Sequence, residues 1–169
     1  MLIVSLFLNS ATHAQVKQSD EKQDIVKELS NFIEFYYQRP DPELAKTKLE
    51  QLLKSPDFKR LFKDQRSWLN QIAYFYGQVG LAYPQIRNYY MIYFDTLGFE
   101  ARMFLLDVLR ICGDEEVEHY LRQKYLTPEF RSERDAINQI LQTPIPVEID
   151  LTARNIRLRA TMDRVFIFC

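Results

Sequence analysis

Apolar residues recur at intervals of three and four along most of this chain, and that period predicts helices. Ile25, Leu29, Phe32, Ile33 and Tyr36 place a first helix over Glu21–Gln38, which Arg39-Pro40 ends. Leu44, Ala45, Leu49, Leu52 and Leu53 place a second over Pro42–Lys54, and Asp57–Lys63 fits one short helix. Over Gln65–Leu81 two stripes run side by side. One is large (Trp68, Ile72, Phe75, Tyr76, Val79) and the other small (Leu69, Ala73, Gly77, Gly80). A helix apolar on two faces is covered on both, and its two glycines suit close approach of a neighbouring backbone. Further helices are predicted over Pro84–Thr96, Phe99–Cys112, Glu115–Tyr125 and Pro128–Gln142.

Punctuation residues support the helices. Asp41-Pro42-Glu43, Ser55-Pro56-Asp57 and Thr127-Pro128-Glu129 each offer an N-cap side chain, a proline at N1 and an acid in the first turn. Asp64 and Asp114 are further expected N-caps, and Gly113 an expected C-cap. Thr143-Pro144-Ile145-Pro146-Val147 must be extended, since two prolines two apart exclude helix. The chain is therefore expected to be all-α. Pro42, Pro84 and Pro128 stand 42 and 44 residues apart, a spacing that suits helical hairpins stacked as in HEAT or armadillo arrays. An irregular helical bundle accounts for the same helices.

The start breaks the pattern. Leu2–Leu8 is an apolar run, and Asn9-Ser10-Ala11-Thr12-His13-Ala14 follows with small residues, before a polar, charged stretch from Gln15. That order predicts a signal peptide over residues 1–14, cleaved after Ala14, with one domain over 15–169. No Lys or Arg precedes the apolar core, so the α-amino group alone supplies its positive charge. The run is too short for a transmembrane anchor, which needs about 20 apolar residues. The expected location is therefore the periplasm or the exterior.

Composition narrows the function classes. The chain is 47% hydrophobic and 14% aromatic, too apolar for a disordered protein. Four glycines in 169 residues are a poor supply for hairpin turns. With 22 basic and 23 acidic residues the net charge is −1, so nothing steers the whole chain to nucleic acid. Cys112 and Cys169 are the two cysteines. Cys112 reads as a small buried hydrophobe, and an oxidising compartment would permit a bond between the two.

Candidate chemistry is sparse. Glu116-Val117-Glu118-His119 has the Glu-x-x-His spacing of di-iron bundles. The other histidine is His13, inside the leader, so a solvated helix face is the expected reading and no metal or cofactor is expected. Asp107 is expected on a polar stripe with Glu100 and Arg110. Arg154, Arg157, Arg159 and Arg164 make a basic segment that reads as a solvated face. No nucleophile elbow, phosphate loop or Cys-x-x-Cys occurs, and no catalytic residue is assigned. The one local excess is aromatic: Tyr74, Phe75, Tyr76, Tyr83, Tyr89, Tyr90, Tyr93 and Phe94. Tyr90 and Phe94 share one helix face, and Tyr89 and Tyr93 the adjacent one. One pair is expected in the core and the other along a groove, so these four residues are the candidate binding surface.

The segments Phe35-Tyr36-Tyr37-Gln38-Arg39-Pro40-Asp41-Pro42, Gln71-Ile72-Ala73-Tyr74-Phe75-Tyr76-Gly77-Gln78 and Arg110-Ile111-Cys112-Gly113-Asp114 resemble a group of uncharacterised exported bacterial helical proteins. The resemblance implies a helical exported fold and brings no activity or site residues. The apolar terminus Val165–Cys169 departs from that group and reads as a truncated or frame-altered end. Together these features point to a non-catalytic protein-binding or scaffold protein of the bacterial cell envelope. An enzyme or enzyme subunit with a dispersed polar site, and a carrier of an apolar ligand, are the alternatives.

Mass spectrometry of the mature protein should find Gln15 at its N-terminus. An intact Met1 on a cytoplasmic protein would contradict the leader.

Overall fold

The computed structural model describes residues 25–143, and among them there are helices and no strand. The leader with its cleavage site, the extended Pro144–Val147 stretch, the basic segment and Cys169 lie outside the described residues. The first helix, α1, is described over 25–35 and runs into a 3-10 turn, Tyr36–Gln38. The single helix expected to reach Gln38 thus tightens in its last turn. Pro40 is the cause: Arg39 before it leaves the helical region, at φ −148° and ψ 79°.

Six further helices follow: α2 (Pro42–Lys54), α3 (Phe58–Asp64), α4 (Arg66–Ala82), α5 (Pro84–Phe94), α6 (Phe99–Cys112) and α7 (Glu115–Leu126). A 3-10 segment, Pro128–Glu133, then leads into α8 (Arg134–Gln142). The last helix expected from sequence is therefore two pieces, with a kink at Phe130, whose φ of −100° and ψ of 26° are not helical.

The capping signals divide. Asp41 accepts from the Leu44 amide at 2.9 Å, and Asp114 from the Val117 amide at 3.1 Å. Gly113 ends α6 with φ 21°, a conformation that favours glycine, and its N–H reaches the Leu109 carbonyl. Asp64 does not cap α4; it is the last residue of α3, and Gln65 takes the N-cap position without a side-chain bond. Ser55 accepts only from the Asp57 amide, at 3.3 Å, because Pro56 opens a turn and α3 begins two residues later. Thr127 spends its hydroxyl on the Gln123 carbonyl behind it.

α4 is the axis of the bundle. Leu69 and every residue from Ile72 to Leu81 are buried. α6 lies against it more extensively than any other described helix, and α2, α3 and α5 cover the remainder. The two glycines make the α4–α6 approach possible. A Cβ on Gly77 would stand 2.5 Å from Ile111 Cβ and 3.1 Å from the Val108 carbonyl oxygen. A Cβ on Gly80 would stand 2.6 Å from Cys112 Sγ. Around this seam Phe75, Tyr76, Val79, Phe104, Leu105 and Leu109 bury completely or nearly so. Each such side chain contributes about 1.5–3 kcal/mol.

α2 touches α4, α4 touches α6 and α6 touches α8, a succession that stacked hairpins produce. α2 also reaches α5, and α3 reaches α6. A strict array keeps each repeat to its neighbours; these cross-contacts gather the helices into an irregular all-α bundle.

Gly77→Ala should lower stability by about 1–3 kcal/mol through overpacking, despite the gain of about 1 kcal/mol in helix propensity. Gly98 has open space around its Cβ direction, so Gly98→Ala should change stability by about 1 kcal/mol or less. Urea denaturation of both variants checks the contrast.

Candidate functional site

The aromatic cluster is divided by the turn of α5. Each residue of an α-helix advances about 100°, so Tyr90 and Phe94 lie on one face and Tyr89 and Tyr93 about 100° away. Tyr90 and Phe94 are at 0% exposure. They are core residues and offer no surface to a partner. Tyr89 and Tyr93 are half-buried between α5 and α2. Their rings stack at 5.3 Å between centroids, with planes 21° apart.

α2 supplies the charge around this pair. The Tyr89 hydroxyl donates to Glu50 Oε1 at 2.6 Å, and Lys54 Nζ meets Glu50 Oε2 at 2.7 Å. Lys46 Nζ lies 5.1 Å from the Tyr89 ring centre, and Lys54 Nζ 5.8 Å from that of Tyr93. Both cations face rings whose quadrupoles attract them. Glu50 is held below the ordinary carboxylate range, first by its bond from Lys54 and then by that from Tyr89. Burial, and then the bond to Glu50, push the Tyr89 phenol up. Ile92, on the outer side of the pair, is 70% exposed. The arrangement offers two flat rings, a pair of ion-paired lysine stems and an exposed aliphatic anchor.

A second cluster closes the other side of α5, and no sequence pattern marked it. Lys124 Nζ pairs with Asp95 Oδ2 at 2.7 Å. The Tyr120 hydroxyl shares its proton between the Met91 carbonyl at 2.7 Å and Asp95 Oδ1 at 2.9 Å. Arg102 reaches Glu129 and Glu133, each at 3.5 Å, and the Asp95 carbonyl at 3.3 Å. Arg102 and Lys124 both stand over the Phe130 ring, at 4.6 and 4.9 Å. Glu133 is 2% exposed, and a buried carboxylate needs such a cation nearby. Every carboxylate in this cluster faces a cation, with Arg102 shared by two of them, so the cluster fastens the Pro128–Glu133 segment to α6.

The remaining sequence candidates are dispersed. Glu116 pairs with Arg87, which also pairs with Asp114. His119 Nε2 instead faces Gln123 at 2.9 Å, and both residues of the Glu-x-x-His spacing are exposed. Among the described residues no group of three His, Cys, Asp or Glu side chains is placed to hold a metal ion. Cys112 is fully buried, and burial pushes its thiol up to about 12, which removes thiolate reactivity at neutral pH. Asp107 is on a polar stripe of α6, as its spacing implied, but its partner is Arg66 of α4 at 2.8 Å; on the same stripe Glu100 meets Lys59 at 3.5 Å.

A cleft between α6, α7 and α8 is lined by Leu109, Val117, Leu121, Ile140 and Leu141, with Arg110, Asp114 and Glu118 at its polar side. Its volume is about 30 Å³, far below the ~300 Å³ of a small-molecule pocket. No described helix is long and apolar enough to cross a membrane.

The interior carries one more polar feature. The hydroxyls of Tyr36, Tyr76 and Tyr90 are fully buried and have no hydrogen-bond partner among the described residues. Each buried hydroxyl left unpaired costs about 1–3 kcal/mol, a large sum against a typical stability of about 5–15 kcal/mol.

The fold and these surfaces define an all-α bundle with an aromatic seam and a cluster of ion pairs. Comparisons with protein-family models, curated proteins and solved structures give no match to this chain.

Tyr89→Phe should raise the Glu50 pKa, since it removes one of the two bonds that lower it. A carboxylate with a lowered folded-state pKa adds stability above its unfolded value and loses it as pH falls through the folded value. The variant should therefore lose less stability than the parent over that acidic window. Carboxyl-detected NMR titration and acid melts check both statements.

Proposed function

We propose that this chain is a non-catalytic protein-binding or scaffold component of the bacterial cell envelope, and that it engages its partner through the outer part of the α2–α5 seam. The observation that carries the reading is the half-buried, stacked Tyr89–Tyr93 pair beside exposed Ile92. Aromatic rings held rigidly by stacking lose little entropy on binding, which suits them as anchors. The lysines above them sit on flexible stems, and a partner's side chains can take their place over the rings. The envelope location rests on the leader pattern and on the resemblance to exported helical proteins.

An enzymatic reading draws less support. In the densest charged cluster, around Phe130, each of the three carboxylates already faces one of the two cations. The α6–α7–α8 cleft has room for about two water molecules.

The mature chain, used as bait in envelope extract, should capture a partner that also binds when purified. Replacing Tyr89 and Tyr93 together by Ala should weaken that binding by about tenfold or more, as loss of interface anchors does. Truncating Tyr90 or Phe94 should instead cost about 3–5 kcal/mol of stability, as buried rings do. Equal binding by the parent and the Tyr89/Tyr93 variant would overturn the reading.

A further inference from the structure

From Pro84 to Phe94, α5 carries one charged side chain, Arg87, and it turns inward to Asp114 and Glu116. Gln85, Asn88 and Ile92 are exposed at intervals of three and four, so they share the outer face, with Tyr89 and Tyr93 half-buried at its edge. That face is uncharged in a chain that is 27% charged. Absence of charge and presence of tyrosine distinguish the centre of a protein interface from ordinary surface. α2 borders the face with a charged stripe. Glu43, Lys46, Glu50 and Lys54 follow at intervals of three, four and four, and their signs alternate. Lys48 turns the other way, to Glu28 of α1. Lys46 pairs with Glu43, and Lys54 with Glu50, so the stripe has no net charge with which to select an acidic or a basic partner. α2 and α5 run in the same direction, since Lys46 lies over Tyr89 and Lys54, two turns on, lies over Tyr93.

We propose that the occupant of this surface is a second copy of the chain, docked about a two-fold axis perpendicular to α2 and α5. The proposal rests on the reading of the seam as a docking surface and names what docks there. A two-fold axis reverses the second copy, so the order minus, plus, minus, plus meets plus, minus, plus, minus. Glu43 of each copy then faces Lys54 of the other, and Lys46 faces Glu50. A second copy laid in the same direction would instead set like charges against each other. The same axis lays the uncharged face of α5 on itself and brings the exposed Ile92 of each copy toward the Tyr89–Tyr93 edge of the other. Such an isologous contact closes at two copies. With 13 and 11 residues, α2 and α5 are about 20 and 16 Å long. That patch is at the small end of specific interfaces, so the dimer exchanges with monomer. Ile92 and the tyrosines supply the affinity, and the charged stripe sets the register.

Sedimentation equilibrium of the full chain tests the proposal. The parent should dimerise. Ile92→Lys should weaken the dimer about tenfold or more, with melting unchanged, because Ile92 is 70% exposed. Glu43→Lys and Lys54→Glu should each weaken self-association several-fold, by setting like charges across the axis. An equimolar mixture of these two variants should restore it, because each then offers the charge that the other lacks. A parent that stays monomeric up to about 1 mM would overturn the proposal. So would a dimer that Ile92→Lys leaves intact, or a mixture that associates no more tightly than its components. If the parent is monomeric while the Tyr89/Tyr93 alanine variant still loses capture of an envelope protein, the second copy falls and the docking reading stands. If that variant matches the parent in both assays, the docking reading falls as well.

Discussion

The close passage of α6 across α4 at Gly77 and Gly80 governs the rest of this structure. With no side chain at those two positions, Ile111 and Cys112 sit directly on the α4 backbone. The Cys112 thiol then reaches the Gly77 carbonyl at 3.5 Å. Two glycines inside a helix cost about 1 kcal/mol each in propensity. The burial they permit is larger: Phe104, Leu105, Val108 and Leu109 close against α4, all at 1% exposure or less. A helix buried on every side over its central turns leaves its neighbours no choice but to arrange themselves around it.

That arrangement fixes the orientation of α5. Tyr90 meets Gly80 and Phe94 meets Phe130, at 5.5 Å between ring centres, so the inner face of α5 is held at both ends. The rotation of the helix then delivers Tyr89 and Tyr93 to the α2 seam and Ile92 to the surface. Met91 and Asp95 fall on the opposite flank, where Tyr120 and Lys124 of α7 meet them. The tyrosine seam and the charge cluster are therefore two consequences of one packing decision in the core.

The helices were legible because their period, their prolines and a few caps agree. The large and small stripes of α4 announced a helix covered on both sides, and the all-round burial of Ile72–Leu81 is that covering. The split of the α5 aromatics into two faces followed from spacing alone. Sequence could not show which caps would be used: Asp64 falls one residue before the cap position, Pro56 opens a turn after Ser55, and Thr127, extended at its cap position, gives its hydroxyl to the Gln123 carbonyl. Nor could it show the kink at Phe130, whose ring meets Arg102 and Lys124 from distant parts of the chain. The Arg102–Glu133 and Lys124–Asp95 pairs join residues about 30 positions apart, and no local pattern encodes such meetings. Arg66 with Asp107 is the same case: the stripe on α6 was visible, but its partner on α4 was not.

Native-state hydrogen exchange measures most directly whether α4 is the axis on which stability depends. Amides at the centre of α4, from Phe75 to Val79, and of α6, from Leu105 to Leu109, should exchange only through global unfolding. Their denaturant dependence should then match that of the whole protein. Exchange of these amides through smaller local openings, while α7 or α8 remains protected, would contradict the account.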